Sequence, residues 1–404
     1  MTMTGAMLPS VSKFSDILVL APPQSRRLKA YQASLRRYGL DEARVLSYHD
    51  YLNQDMCLRD VMSPTTLLRI ESPDEDFEIE KRLLARGDVV DEESSAYHRV
   101  SAQEARQLGF DKGLILPSRQ WYLGFRELLK GVQDCLGNAS SHVMNQPLDI
   151  LEMFDKRLSH RKCARAGIPV PPAIAPVASF DELLERMAGQ QCRRVFLKFA
   201  HGSSASGTVA LEGNGKDWQA STTVEMLGAA NTTRLYNSRK LLRYRNPQQI
   251  ARLVNNLCGH RLHVEQWIPK ASFQGFVFDL RVVVIAGRAR HVLPRLSRGP
   301  ITNLHLQNQR GDWQALRRHL PEATWQAIRR SCEAVARLWP KSLYMGVDVL
   351  VTPSLKSHYV LEVNAFGDYH RNIYHEGLDT FAAELAALDV PLMKTTIQGQ
   401  GIPC

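Results

Sequence analysis

No stretch of this 404-residue chain approaches the roughly 20 consecutive apolar residues that a membrane-spanning helix needs, so no membrane partner is expected. Met1 to Lys13 lacks the basic start and apolar centre of a secretory signal, and a soluble, cytoplasmic protein is the expectation. The seven cysteines form no C-x-x-C pair and no Cys/His spacing suited to zinc. A disulfide-stapled domain and a zinc ribbon are thereby excluded, and the thiols are expected to be reduced. The thirteen histidines likewise show no metal-ligand spacing, and no Cys-His or Ser-His constellation suggests a protein nucleophile. Walker A sequence, internal repeats and low-complexity segments are all missing. The formal net charge of +10 suits an acidic partner, yet the arginines are spread over the whole chain without a basic tract. Anionic small molecules such as nucleotide phosphates fit that pattern better than nucleic acid.

What is present is a globular composition, 44% hydrophobic and 23% charged, long enough for two or three domains. Near the start, Ile17 to Leu20, Arg44 to Tyr48 and Thr66 to Ile70 read as strands, with a helix over Ser25 to Tyr38. Strands alternating with helices predict a small parallel sheet. Ser72-Pro73-Asp74-Glu75 reads as a cap for a helix running to about Arg86, and Gln120 to Asn138 as another helix. Ala139 to Leu148 is a polar connector. Phe154 to Ala166 is an amphipathic helix stopped by Gly167 and three nearby prolines, followed by a helix near Phe180 to Gly189.

Three stretches carry chemistry. A short hairpin pairs Tyr344 to Val351 with Tyr359 to Asn364, so Glu362 and Asn364 project from one face and Asp348 meets them from the partner arm. Oxygen-only ligands suit magnesium, which prefers a carboxylate or two plus substrate phosphates. The strand Val195 to Lys198 runs into a loop of small residues, His201 to Thr208, where backbone N–H groups and an ammonium can meet phosphate oxygens. Arg281 lies inside an otherwise apolar strand and needs an anion, either a structural carboxylate such as Asp279 or a transferred phosphoryl group. Around Trp267, apolar residues on a backbone edge suit either a flat heterocycle or a plain buried strand start.

In order, the chain shows a helix opened by Asp155-Lys156 and ending in Gly167-Ile168-Pro169-Val170-Pro171, then the strand-lysine loop at Lys198. Glu265-Gln266-Trp267-Ile268, Asp279-Leu280-Arg281, Thr302-Asn303-Leu304-His305 and the Asp348 hairpin with Glu362-x-Asn364 follow. That succession resembles the ATP-grasp superfamily, closest to the ribosomal-protein glutamate ligases and macrocyclising graspetide ligases. The resemblance implies an α/β plus α+β chain: a flexible 1–14, a small parallel-sheet pre-grasp domain over 15–145, a first grasp lobe with its linker helix over 146–265, a catalytic lobe over 266–390, and a tail over 391–404. It implies ATP with magnesium, or manganese, as cofactors. Lys156, Lys198, Ser203, Ser204 and Gly207 would contact phosphates, and Glu265, Trp267 and Ile268 would line adenine. Asp348, Glu362 and Asn364 would hold the metal, while Arg281, Arg295 and Asn303 would be catalytic.

The implied reaction is ADP-forming ligation of a carboxylate to an amine through an acylphosphate, the substrate being an amino acid, peptide or protein. Phosphotransfer by the same grasp and a non-catalytic nucleotide-binding regulator are the alternatives, and a homodimer is an open possibility. The chain departs from its relatives in a glycine-poor loop, in Ile301 where an arginine is usual, with Arg298 as compensation, and in the segment after Asn364. There Asp368, His370 and Arg371 are candidate substrate contacts. In the first domain Arg69 and Arg119, beyond strand ends, are candidates for a substrate carboxylate.

Overall fold

The computed structural model describes residues 13–53, 58–88, 97–137, 142–229, 232–306, 308–367 and 372–393. The first of three sheets is parallel, with β1 (Asp16–Ala21) between β2 (Arg44–Ser47) and β3 (Thr66–Ile70). All five residues of β3 are buried, as a parallel sheet covered on both faces requires. The helix Arg26–Arg37 starts where Ser25 accepts a hydrogen bond from Leu28 N, and the last strand leads towards the helix Phe77–Arg86. That second helix is capped by Asp76, not by Ser72 or Asp74; the expected capping residues form the loop before it, which lines the cleft described below. Its end packs tightly on the helix Ser118–Leu136. A side chain at Gly124 would run into Leu83 O, and one at Gly87 into Gln120 O.

The second sheet is antiparallel: β4 (Ala173–Ile174), β5 (Arg194–Phe199), β6 (Val209–Gly213), β7 (Trp218–Leu227), β8 (Arg234–Tyr244) and β9 (Leu262–Gln266), in the order β4-β9-β5-β6-β7-β8. Helices Phe180–Gly189 and Pro247–Cys258 cover one face with their own core, including Leu183, Val195, Leu197, Leu253 and Leu257. The other face looks into the cleft.

The third sheet contains β10 (Ser272–Phe273), β11 (Phe276–Ile285), β12 (Arg288–Ser297), β13 (Gln309–Arg310), β14 (Tyr344–Val351) and β15 (His358–Asn364), all antiparallel. One hydrophobic core runs without a break from Leu18 and Phe125 through Phe278 and Trp339 to Val363. The first and third sheets therefore share an interior, whereas the second stands on a separate one. A boundary near residue 145 separates sheets but not cores.

The helix expected over Phe154 to Ala166 runs over Lys156–Arg165, and a separate helix, Pro147–Phe154, precedes it. Asp155 is extended between them, and its carboxylate accepts from Arg157 N and Leu158 N at 2.9 and 3.1 Å. An aspartate that caps the next helix leaves the previous one, which puts Lys156 at a helix start. No described helix is long and apolar enough to cross a membrane.

Candidate active site

A cleft of about 1080 Å³ separates the second and third sheets. Phe196 and Lys198 of β5, the loop over Gly202 to Ser206, and Glu265, Gln266 and Ile268 line one wall. Asp279, Arg281, Arg295, Asp348, Glu362 and Asn364 line the other, with Asn303 from the loop after β12 and Arg27 and Asp74 from around the first sheet completing the lining.

Register builds the charged wall. Antiparallel pairing sets Asp279 opposite Arg295 and Arg281 opposite Asp348 on neighbouring strands. Arg295 donates from Nε to Asp279 Oδ1 at 2.7 Å and its Nη2 lies 3.0 Å from Asp348 Oδ2. Arg281 donates to Asp348 as well, and to Gly367 O at 3.1 Å. Lys270 closes the chain, 2.9 Å from Asp279 Oδ2 and 2.6 Å from Thr302 Oγ1. Burial alone would raise the Asp279 and Asp348 carboxyls, but the guanidinium groups outweigh it and hold both below the usual range. Five buried groups thus alternate in sign and carry one net positive charge. That charge faces the cleft.

The opposite wall is organised by lysines. Lys198 donates to Glu265, whose other oxygen lies 3.1 Å from His263 Nε2. Burial would raise the Glu265 carboxyl, yet Lys198 and His263 bring it down to about 2. For Lys198, burial works against the charged form, but Glu265 and Glu362 prevail and raise it. Lys156 Nζ lies 2.9 Å from Glu362 Oε1 and donates to Gly202 O, while its backbone N donates to Ala200 O at 2.9 Å. The helix start is thereby tied to the loop.

The loop itself carries two consecutive non-glycine residues in the left-handed region, Ser204 at φ 55° and Ala205 at φ 61°. Thr223 Oγ1 donates to Ala205 O at 2.8 Å and pins it. Behind the loop, buried His201 lies 3.0 Å from Asp155 Oδ2 and stacks on Tyr122 at 3.8 Å between centroids. Burial lowers the His201 imidazole to about 4 against the opposing pull of Asp155.

Of the residues singled out from sequence, Lys156, Lys198, Ser203, Ser204, Glu265, Ile268, Arg281, Arg295, Asn303, Asp348, Glu362 and Asn364 line the cleft together. Four do not line it. Gly207, at φ 66°, sits where any side chain would enter the Phe199 ring, which fixes glycine at this turn. Trp267 packs on Phe196 at 5.3 Å with Arg194 above it at 5.9 Å, one layer behind the wall. Arg69 is fully buried, paired with Glu71 and Glu384 and enclosed by Tyr31, Tyr344 and Phe381, which leaves no face for a substrate. Arg119 lies over Tyr122 at 5.9 Å, in the layer behind the loop. Asp368, His370 and Arg371 lie outside the described residues. Ile301 is buried with Phe196 and Ala210, and Arg298 stands over Phe276 outside the cleft, so neither supplies the usual arginine.

Asp348 differs from its expected role in one respect: both its oxygens already accept from Arg281 and Arg295. Glu362 and Asn364 offer the more accessible oxygens, Glu362 having 25% of its side chain exposed against 7% for Asp348. A carboxylate beside an amide oxygen is a donor set that fits magnesium. Lys270 escaped the sequence reading. Its only signal was Asp279, a second buried charge on the strand that also needed a cation.

No model of a known protein family matches the sequence, and no curated protein matches it. Solved structures match in fold. D-cycloserine synthetase DcsG superposes with a TM-score of 0.52 at 13% identity, over 92% of this chain and 98% of its own. Macrocyclase MdnC from Microcystis aeruginosa MRC, bound with precursor peptide MdnA, gives 0.49 at 11% identity over 92% and 98%. ATP-grasp ligase PsnB, complexed with precursor peptide PsnA2 and AMPPNP, gives 0.47 at 15% identity over 95% and 98%. At such identities the likeness is one of fold, and the expected small parallel sheet ahead of a two-lobed α+β body is the arrangement observed.

Proposed function

We propose that this ATP-grasp-fold chain is an ADP-forming carboxylate–amine ligase, acting on an amino acid, peptide or protein. The observation that carries the reading is the convergence of Lys156, Lys198, Arg281 and Arg295 with the oxygens of Glu362 and Asn364 on one cleft. Four cations beside a carboxylate and an amide match a triphosphate that arrives with a divalent ion.

In this reading Lys156 and Lys198 bind phosphate oxygens, exchanging the Glu362 and Glu265 carboxylates that they now face for the ligand's charge. The backbone of Gln266 to Ile268, beside Phe196, receives the adenine edge. Magnesium, held by Glu362 and Asn364, would supply positive charge to the phosphate oxygens. Asp348 orients the two guanidinium groups. A substrate carboxylate oxygen attacks the γ-phosphorus and the bond to the β-phosphate oxygen breaks, giving an acylphosphate and ADP. Arg281 and Arg295 stabilise charge on the transferred group. The amine nitrogen then attacks the acyl carbon, phosphate leaves, and the nitrogen loses its proton. Positioning and electrostatics suffice for both steps, with no protein nucleophile.

The test is ATP turnover with magnesium, resolving ADP from AMP, against pools of amino acids, small acids and peptides, with Glu362→Gln as control. Substrate-dependent ADP and phosphate, lost in the control, with a product heavier by the joined amine, supports the ligase. A phosphorylated product would make it a kinase. AMP formation would overturn the reading.

A further inference from the structure

We propose that His160, His263 and Glu265 form a binding site for a zinc-class divalent transition-metal ion, separate from the oxygen site at Glu362 and Asn364. One ring nitrogen from each histidine and one carboxylate oxygen all lie within 4.8 Å of one another. Residues far apart in sequence meet here because the helix Lys156–Arg165 sets His160 against His263 of β9, whose alternation puts His263 and Glu265 on the same face. The two imidazoles are 4.9 Å apart between centroids.

The hydrogen bonds around the three groups are those of a ligand set. His160 Nε2 lies 2.7 Å from Pro171 O. A carbonyl only accepts, so Nε2 carries the proton and the His160 lone pair is on Nδ1. A backbone carbonyl holding the second nitrogen is the usual outer partner of a metal-bound imidazole. Glu265 divides its oxygens: Oε1 accepts from Lys198, and Oε2 lies 3.1 Å from His263 Nε2. Two ligands each about 2.0–2.1 Å from one zinc ion in a tetrahedron stand about 3.3 Å apart. The ion takes the place of the proton shared along that contact, which moves to Nδ1 of His263 so that the imidazole stays neutral, and the Lys198 pair need not break. Two imidazoles and one carboxylate select zinc or cobalt over magnesium, and they leave a fourth position open. His263 and Glu265 are buried and His160 is half-buried, so ions reach the site past His160.

The full chain, stripped with a chelator and kept free of nucleotide, is titrated with cobalt(II). The expected result is one ion per chain, with the visible absorption of a four- or five-coordinate site, displaced by zinc. His160→Gln and His263→Ala each weaken binding by about a hundredfold or more. Glu362→Gln leaves it unchanged. Because His263 is buried, far-UV circular dichroism accompanies each variant, and half-buried His160→Gln decides the matter if His263→Ala does not fold. Binding below one ion per chain, absorption that survives His160→Gln, or absorption lost in Glu362→Gln overturns the proposal. No nucleotide enters the measurement, so its outcome is independent of the ligase assay.

Discussion

Lys156 Nζ stands 2.9 Å from Glu362 Oε1, joining the first turn of the helix Lys156–Arg165 to the end of β15. The group assigned to phosphate and the group assigned to metal neutralise each other across the cleft. Bound magnesium–ATP would satisfy both, so the pair is a reversible clasp. Lys156→Met is expected to lower ATP-dependent turnover by about 10²–10³-fold, the usual cost of one lost charged donor. Because both side chains keep some solvent contact, the change should alter folding stability by only about 1 kcal/mol. Steady-state kinetics beside urea unfolding checks both; turnover within a fewfold of the parent chain would remove Lys156 from the phosphate site.

Asp348 holds Arg281 and Arg295 at once, and all three are buried. Removing the anion alone strands two guanidinium groups with Asp279 as the remaining carboxylate. Asp348→Asn should therefore destabilise by about 3–5 kcal/mol, whereas Asp348→Leu combined with Arg295→Met should cost less than the sum of the singles. Denaturant unfolding of the four proteins gives the coupling. Additive costs would mean that the pair is not mutually compensated.

The hairpin with Asp348, Glu362 and Asn364 was legible in sequence because alternation along a strand fixes which side chains share a face. Its strands run over Tyr344–Val351 and His358–Asn364, close to the reading from residues alone. Other features depended on contacts that no local pattern encodes. Arg69 and Arg281 look alike in sequence, each an arginine in an apolar strand, yet one is enclosed by three aromatic rings and the other faces the cleft. Lys270 gains meaning only when the β10–β11 turn brings it back to Asp279. His160 and His263 are a hundred residues apart, so no spacing rule would join them.

Arg69 belongs to the fold, and its removal separates that role from chemistry. Its guanidinium pairs with Glu71 and Glu384 and lies 4.6 to 4.9 Å from the Tyr31, Tyr344 and Phe381 ring centroids. Arg69→Met leaves two buried carboxylates without that cation, at a cost of about 3–5 kcal/mol. Thermal unfolding should show the loss, while KM for any carboxylate substrate stays within a fewfold for the folded fraction. A large KM rise at unchanged stability would return Arg69 to the substrate site.

His201 makes stability depend on pH in a defined direction. Its folded pKa of about 4 lies below the ordinary 6.5, so the native state binds fewer protons than the unfolded chain between those values. Stability from this group is fully present above about pH 6.5 and is lost as pH falls towards 4, a matter of a few kcal/mol. His260, at about 3, and His291, at about 4, act in the same direction. Urea midpoints should therefore fall between about pH 6.5 and 4, and less steeply in His201→Phe. An unchanged slope would show that His201 is not buried neutral.

Ser204 and Ala205 hold left-handed backbone in the loop that Lys156 grips, a conformation that costs a non-glycine residue about 1–2 kcal/mol. Glycine at position 205 would relieve that strain but give the unfolded chain more freedom, offsetting about 0.5–1 kcal/mol. Ala205→Gly should thus raise stability by about 0.5–1 kcal/mol, whereas Gly207→Ala, two residues on, should lower it, because φ is 66° there and the new methyl meets the Phe199 ring. Opposite signs at such close positions separate backbone strain from generic loop flexibility. The same Ala205→Gly change loosens a loop whose N–H groups are assigned to phosphate, so KM for ATP should rise a fewfold even as the protein becomes more stable. Strain held at this loop by the Thr223 hydrogen bond would then be the cost of keeping those donors in place. A stability loss in Ala205→Gly would show that the left-handed pair is not what the loop adopts in solution.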